Sequence, residues 1–362
     1  MIGKNLRRTA AVSAFIIIFV YLFIHLTYVF REPLSHTREH MMGFYSEKSN
    51  TVDVVVVGTS CTFSAIAPMQ MWDDYGIAAY DFCTNVMLED TMKYAIREIR
   101  KTQSPKLYII DTAPFMNAYI AENGQDNAQI MRYNIDGFKI SKNRADLIGS
   151  VIHDKKKRMN YYFDLMYYHS NPAPEIKNWN WNRSTPYKGY SNLQIDVGYP
   201  DEYTDINVPA DKYPITDAEK EVLDDLLREI DSLGIRVLFI TDPYWPVEDK
   251  EEAMGRAEYL QAYLTDKGYD YLDMHEYLDE IGIRGSEDYS MDYNHYTITG
   301  AVKNTAYLGK YIHDNYDLPD RRNDSGYDKW RREYDEWINT ILPDNIKWTN
   351  DAREEYLKSD RE

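Results

Sequence analysis

A strand-to-turn stretch opens the first α/β unit of this chain; it reads VVVVGTSCTF and runs from Val54 to Phe63. The four valines predict a buried parallel strand, because β-branched residues favour strands and a strand covered on both faces shows no polar alternation. Gly58 then permits a sharp turn, so that Ser60 falls at the strand tip. Two interpretations follow for Ser60. It either caps the next helix or acts as a nucleophile at the carboxyl edge of a sheet.

Apolar strands alternate with amphipathic helices along the rest of the chain. The predicted strands are Val52–Val57, Ala78–Phe82, Lys106–Asp111, Ile235–Thr241 and Asp270–Leu272. The predicted helices are Leu88–Thr102, Asp217–Leu233, Lys250–Lys267 and Thr299–Asn315. Five strands joined by crossover helices predict an α/β fold with a doubly wound parallel sheet.

An apolar run near the N-terminus, Ala10–Phe30, has about the length needed to cross a bilayer. A cleaved signal peptide is the alternative, but the run ends in Tyr-Val-Phe-Arg-Glu and lacks a small-residue cleavage site. The tail of residues 1–9 carries basic residues without an acid, which favours a cytosolic tail. We therefore expect a single-pass protein of the cell membrane with an extracytoplasmic body.

Composition limits the classes of partner. The 362-residue chain has a formal net charge of −18, which argues against nucleic-acid binding because phosphates require a positive surface. Its 33 tyrosines, 7 tryptophans and 11 phenylalanines can either pack in a core or contact a sugar face. Cys61 and Cys83 are the only cysteines, and they permit either one disulfide or two thiols.

Several segments flank or interrupt the predicted domain of residues 51–319. Residues 31–50 are mostly polar and indicate a solvated stem, although His36 to His40 also fit the H-x-x-E-H pattern of one zinc-peptidase class. We expect no metal and no other cofactor. Residues 114–214 break the strand–helix rhythm and predict a long irregular insert, either a packed cap or a recognition surface. Residues 320–362 predict an accessory helical extension.

A serine nucleophile needs a histidine base and an acid that orients the histidine. His295 lies three residues after Asp292 and just before the last predicted helix. In an open parallel sheet the loops at the carboxyl ends of the strands share one crevice, so the two loops that carry Ser60 and His295 can meet. The sequence therefore predicts a catalytic triad of Ser60, His295 and Asp292.

Two blocks, VVVGTSCTFSAI and MDYNHYTITG, resemble the first and last motifs of the SGNH (GDSL-like) hydrolase superfamily. The membrane anchor and the Tyr-rich YKGY segment are similar to those of DltD-like and AlgJ-like proteins, which accompany membrane-bound O-acyltransferases in decorating bacterial surface polymers. The resemblance implies a flavodoxin-like three-layer SGNH fold and places the triad on the same three residues.

The same resemblance implies an activity and partners. We expect serine-dependent O-acyl transfer, with acetyl as the acyl group, onto a surface glycan or a teichoic-acid-like polymer, beside a membrane-bound O-acyltransferase partner. The alternatives are a polysaccharide O-acetyl esterase with the same triad and a non-catalytic adaptor that binds glycan or the acyltransferase.

The remaining candidates surround this predicted triad. The family often uses a glycine and an asparagine from its middle motifs in the oxyanion hole, but here neither falls into place after the second or third strand. The oxyanion candidates are the backbone groups of Ser60, Cys83 and Thr84 and the side chain of Asn85, which is otherwise a turn residue. The substrate-binding candidates are Asp242, Tyr244, Trp245, Trp179, Trp181, Tyr187 and Tyr190. For Asp242 the alternative is a turn or cap before Pro243.

Overall fold

A parallel sheet forms the centre of the protein in the computed structural model, which describes residues 2–34, 36–124, 127–192, 207–244, 250–290 and 294–359. Its strands are β1 (Val54–Val57), β2 (Ala79–Asp81), β3 (Leu107–Asp111), β4 (Val237–Thr241) and β5 (Asp270–Asp273). Their spatial order is β2-β1-β3-β4-β5, and every pair is parallel. The predicted α/β class with a five-stranded parallel sheet is confirmed.

Helices precede, connect and follow these strands. They are α1 (Ile2–Phe30), α2 (Ser60–Ala65), α3 (Pro68–Tyr75), α4 (Glu89–Ile99), α5 (Ala113–Met116), α6 (Ala121–Gly124), α7 (Ala128–Ile135), α8 (Lys142–Val151), α9 (Arg158–Tyr162), α10 (Asp164–Tyr168), α11 (Asp217–Leu233), α12 (Glu251–Asp266), α13 (Leu278–Ile281), α14 (Gly285–Asp288), α15 (Ile298–Asn315), α16 (Asp328–Glu336) and α17 (Leu342–Ser359). The stretch that the sequence indicates to be irregular, residues 114–214, carries α6 to α10 in its described part.

Both faces of the sheet are buried under helices. Along β1, Val55 and Val57 belong to one hydrophobic cluster, whereas Val54 and Val56 belong to a second cluster on the opposite face. Successive side chains of a strand point to opposite faces, so a strand between two helical layers has to be apolar at every position. This explains the run of four valines.

The strand register brings distant loops to one edge of the sheet. Val57 of β1 pairs with Ile110 of β3, and Asp111 of β3 pairs with Ile240 of β4. Because the strands are parallel, the chain leaves β1, β3 and β4 on the same side of the sheet. The loops that follow these strands therefore approach one another despite their separation in sequence.

The N-terminal helix α1 is longer than the predicted apolar run. Its stretch Asn5–Phe30 has the length and apolarity of a membrane span, a property that a signal sequence also has. The last turn of the helix is buried against the body at Thr27, Tyr28 and Val29. Arg31, which follows the helix, is fully buried and pairs with Asp164 at 2.7 Å.

The segment of residues 31–50 is part of the folded body, in contrast to the predicted solvated stem. Met41, Met42 and Phe44 are fully buried, and the hydroxyl of Tyr80 in β2 donates a hydrogen bond to the Glu39 carbonyl. The polar composition hid these three large apolar side chains, of which Phe44 packs on Tyr80 of β2 and Met42 packs in a cluster with Tyr28 and Trp181. At the other end of the chain, α16 packs on α3, where Trp330 stacks on Trp72 with 5.4 Å between ring centroids.

Candidate active site

Ser60 and His295 meet at the carboxyl edge of the sheet. The Ser60 Oγ atom lies 2.8 Å from His295 Nε2, a hydrogen-bonding distance across 235 positions of sequence. The Cys61 Sγ atom lies 4.0 Å from the same nitrogen. Ser60, Cys61 and His295 are each partly exposed, so a substrate from solvent can reach them. This geometry is that of a hydroxyl beside its base.

Thr59, rather than Ser60, caps helix α2. The Thr59 side chain accepts hydrogen bonds from the backbone amides of Cys61 and Thr62, and the Thr62 side chain accepts one from the Thr59 amide. Ser60 is the first helical residue. The interpretation of Ser60 as the cap is therefore wrong, because its neighbour satisfies the helix terminus and leaves the Ser60 hydroxyl to contact His295.

Gly58 allows the turn that presents Ser60. A β-carbon at this position would lie 2.2 Å from Thr62 Oγ1 and 2.9 Å from Asp111 Cβ. The Thr62 hydroxyl donates a hydrogen bond to the Asp111 carboxylate at the end of β3. Glycine is required here by this close approach of α2 to β3, which fixes the position of the Ser60 helix relative to the sheet.

The His295 loop is closed by two tyrosines. Tyr289 and Tyr296 form an antiparallel bridge, and the Ser290 amide donates to the His295 carbonyl at 2.8 Å. Both tyrosine hydroxyls donate to the Pro243 carbonyl, at 2.7 and 2.8 Å. Asp292, the predicted orienting acid, lies outside the described residues. The bridge joins Tyr289 and Tyr296, which are described residues on either side of it in sequence.

In the described part of the chain, four buried carboxyl groups lie at the carboxyl ends of the strands: Asp81, Asp111, Asp242 and Asp273. Burial raises the pKa of Asp81 and of Asp242 well above the usual range, and it raises the pKa of Asp111 to about 6. Asp111 accepts from the Ala113 amide at 2.9 Å, and Asp242 accepts from the Asn304 side chain at 3.0 Å. Asn304 also donates to the Ala65 carbonyl, so this one side chain of α15 contacts both α2 and Asp242. Asp242 is buried and structural, which contradicts its candidacy as a substrate contact.

The segment that follows α1 forms part of the surroundings of this site. The His40 ring stacks on Phe63 of α2 at 4.2 Å between centroids, and the His36 ring lies 5.2 Å from Phe63. Burial lowers the pKa of His36, and the nearby His295 lowers it further. The sequence singled out these two histidines as an H-x-x-E-H pattern. In the structure their rings pack beside the Ser60 helix.

The oxyanion candidates fall into two groups. The Thr84 amide donates to the Gly58 carbonyl at 3.3 Å, so Thr84 is not a donor to a substrate in this structure. The backbone amides of Ser60 and Cys83 and the side chain of Asn85 remain candidates, with Asn85 partly exposed at the exit of β2.

Cys61 and Cys83 are both free thiols, so the disulfide left open by the sequence is not formed.

The aromatic candidates of the 114–214 range have packing roles in the structure. Trp181 and Tyr190 are fully buried. Trp179 stacks on His25 of α1 with 4.7 Å between ring centroids. Tyr187 packs edge-on against Trp337 at 6.3 Å. The burial of Trp181 and Tyr190 contradicts the expectation that they face a sugar, whereas Trp179 and Tyr187 are partly exposed and stay candidates.

Of the two remaining candidates after β4, the structure describes only Tyr244. Tyr244 is buried, and its hydroxyl accepts a hydrogen bond from Asn117 at 3.2 Å. It is therefore a core residue rather than an exposed contact. Trp245 lies outside the described residues, so its candidacy stays a prediction.

Sequence reasoning missed the residues that hold the pair together. The Ser64 hydroxyl accepts the Tyr296 amide at 3.2 Å, which links α2 directly to the His295 loop. Thr59 and Thr62 had a readable signal, because their spacing is that of a capping box. The role of Ser64 had no local signal.

No family model and no curated protein matches this chain.

Proposed function

We propose that this protein is a membrane-anchored, serine-dependent enzyme of the SGNH type that transfers an acyl group, with acetyl as the expected one, on a cell-surface glycan. One observation carries the proposal: the hydrogen bond between Ser60 Oγ and His295 Nε2 at the carboxyl edge of a parallel sheet. The presentation of Ser60 on a tight strand-to-helix turn adds support, since nucleophiles of α/β enzymes are often exposed in this way.

The first chemical step follows from this arrangement. His295 Nε2 removes the hydroxyl proton of Ser60, and Ser60 Oγ forms a bond to the carbonyl carbon of an acyl ester. The tetrahedral intermediate collapses, the ester bond to the leaving alcohol breaks, and His295 returns the proton to that alcohol. An acyl-serine remains. A sugar hydroxyl then attacks the acyl-serine with His295 as base, which releases Ser60 and the acylated glycan.

Two further groups complete the proposed mechanism. Asp292 holds the His295 imidazole through Nδ1 and stabilises the imidazolium. The backbone amides of Ser60 and Cys83 donate to the oxyanion, with Asn85 as an additional donor. Removal of one such donor costs a factor of about 10² to 10³ in turnover in serine hydrolases.

The position of the site favours a substrate at the membrane surface. His36 packs beside the Ser60 helix and follows the end of α1 by six residues, a chain length that spans at most about 20 Å. A membrane-bound acyltransferase is therefore within reach as the acyl donor. The net charge of −18 repels polyanions, which favours a neutral glycan over a teichoic-acid-like polymer as acceptor.

A fluorophosphonate probe tests the proposed nucleophile on the full-length protein in lipid nanodiscs. We expect a covalent adduct on Ser60, located by mass spectrometry, that is absent in Ser60→Ala and strongly reduced in His295→Ala. Cys61→Ala is the matched control for the neighbouring thiol, and Ser232→Ala controls for an exposed serine on α11. A folded protein that binds glycan but takes up no probe would support the adaptor alternative and contradict the proposal.

Product analysis separates transfer from hydrolysis. The enzyme is incubated with an activated acetyl ester and a neutral oligosaccharide, and the products are separated by mass. Acetylated oligosaccharide that depends on Ser60 supports the transferase. Release of acetate alone, with deacetylation of a pre-acetylated oligosaccharide, identifies an esterase with the same acyl-serine chemistry.

A further inference from the structure

An exposed apolar patch lies beside the membrane helix. Outside α1, the described part of the chain has seven large hydrophobic side chains that are exposed, and five of them fall between residues 159 and 176. These five, which we call the apolar patch, are Met159, Phe163, Met166, Tyr167 and Ile176. Contiguous exposed apolar surface on a protein marks an interaction site.

The apolar patch is directly attached to α1. The Phe163 ring contacts the Phe23 ring of α1 edge-on at 6.1 Å. Ile176 begins a 3₁₀ turn, Ile176–Asn178. The ring of Trp179, the residue after this turn, stacks on His25 of α1. Phe163 and Trp179 are therefore level with residues 23–25 of the helix, whereas Glu175, next to Ile176, donates its amide to the Val29 carbonyl at 2.9 Å.

The length of α1 places this level inside the bilayer. A hydrocarbon core of about 30 Å requires about 20 helical residues, which reach from Ala10 to Val29. Residues 10–22, the exposed apolar part of α1, cover only about 20 Å. The remaining length has to come from residues 23–29, which are in contact with the body. The parts of the body beside these residues consequently enter the bilayer interface.

A basic run adjoins the apolar patch. Lys155, Lys156 and Lys157 are exposed and Arg158 begins α9, one residue before Met159. This is a local concentration of positive charge in a chain with a net charge of −18. Basic residues next to an apolar interfacial face are the combination that binds anionic lipid surfaces.

We propose that α9, α10 and the turn at Ile176 embed the apolar patch in the interfacial layer of the same bilayer that α1 spans, with Lys155, Lys156 and Lys157 on anionic lipid headgroups. The inference rests on the membrane anchorage of the proposed function but not on its chemistry. An embedded patch gives the body a fixed orientation relative to the bilayer. The Ser60 site then lies at a constant height above the lipid surface.

Spin-label depth measurements on the full-length protein in nanodiscs test this arrangement. Single nitroxides are attached at Met166→Cys and Ile176→Cys in a Cys61→Ala background, where the remaining Cys83 is buried. Ile17→Cys in α1 is the bilayer reference, and Asp279→Cys, exposed after β5 at the far edge of the sheet, is the water reference. We expect depth readings at positions 166 and 176 between those of the two references, with preferential collision with oxygen over a water-soluble nickel complex.

The outcomes separate this inference from the anchor itself. Water-like readings at positions 166 and 176, with a bilayer reading at position 17, would overturn the embedded patch and leave the anchor intact. A water-like reading at position 17 would overturn the anchor and the inference with it. Neither result depends on catalytic activity.

Charge reversal tests the headgroup contact. In discs with one-third anionic lipid, Lys155→Glu combined with Lys156→Glu should make the Met166 label several-fold more accessible to the nickel complex, whereas discs of zwitterionic lipid should show little change. Lys347→Glu, an exposed lysine on α17, is the matched control. An unchanged reading in anionic discs would contradict the role of the basic run.

Discussion

Ser64 accepts a hydrogen bond from the Tyr296 amide at 3.2 Å, and this contact joins the helix that carries Ser60 to the loop that carries His295. The Ser64 hydroxyl is buried and also donates to the Cys61 carbonyl at 2.8 Å. The Ser64 side chain therefore contributes directly to the separation of the proposed nucleophile and its base. Ser64 is a positioning residue, because it touches neither the substrate nor the reacting atoms.

The first prediction concerns this link. Ser64→Ala should slow fluorophosphonate labelling of Ser60 by about tenfold or more, since small displacements of a nucleophile from its base cost large factors in rate. The same change should lower the free energy of unfolding by about 1 to 2 kcal/mol through the lost hydrogen bonds. Labelling kinetics and urea denaturation measure the two effects. A labelling rate equal to that of the Ser232→Ala control would contradict the positioning role.

The second prediction concerns the turn before Ser60. Gly58→Ala places a methyl group 2.2 Å from Thr62 Oγ1, so α2 has to move away from β3. We expect a loss of about 1 to 3 kcal/mol in the free energy of unfolding, together with reduced labelling of Ser60. Gly149→Ala in α8 is the matched control, because its new methyl group would meet only the Tyr162 hydroxyl at 3.9 Å. That change should stabilise the protein by about 0.5 to 1 kcal/mol.

The third prediction concerns the pH dependence of stability. Burial raises the pKa of Asp111 to about 6, above its value in the unfolded chain. Below about pH 4 the Asp111 carboxyl group is protonated in both the folded and the unfolded state. Between about pH 4 and 6 it is ionised in the unfolded state and still protonated in the folded state. Asp111 therefore contributes stability that is present at low pH and is lost as the pH rises through this window, by roughly 3 kcal/mol.

Asp111→Asn tests this sign, because asparagine has no proton to release in that range. The free energy of unfolding of the wild type, relative to the variant, should decrease between pH 4 and pH 6.5. Urea denaturation at several pH values measures the difference. An increase over the same range would show that the folded state favours the ionised carboxylate.

The fourth prediction concerns the junction between α1 and the body. The Arg31 guanidinium is buried and donates to the Asp136 carbonyl at 2.7 Å and to the Asp164 carboxylate at 2.7 Å. Arg31→Ala leaves Asp164 with less compensating charge, and we expect a loss of about 3 to 5 kcal/mol in the free energy of unfolding.

Arg38→Ala is the control for this prediction. Arg38 pairs with Glu175 at 2.7 Å, but both side chains are partly exposed, so the expected loss is about 0 to 1 kcal/mol. Thermal unfolding of the full-length protein in nanodiscs compares the two variants. Equal losses would show that the buried pair contributes no more than a surface one.

Local patterns in the sequence determined the elements of the fold. The run from Val54 to Val57 indicated a strand buried on both faces, and the helix over Asp217–Leu233 has the predicted bounds. Both signals are local, because hydrophobic periodicity and helix caps depend on residues a few positions apart. In a parallel sheet the loops that follow the strands lie at one edge. This rule of topology allowed the sequence to pair Ser60 with His295.

Contacts between distant residues decided the rest. Only the folded chain shows that Met41, Met42 and Phe44 in the segment after α1 are buried, or that Trp181 and Tyr190 are core residues rather than sugar contacts. An aromatic side chain has the same local sequence pattern in either role, because burial depends on which surfaces pack against it. The sequence determined by itself which residues could form strands, caps and a nucleophile. Tertiary packing decided which side chains surround Ser60, since that choice depends on contacts across more than 200 positions.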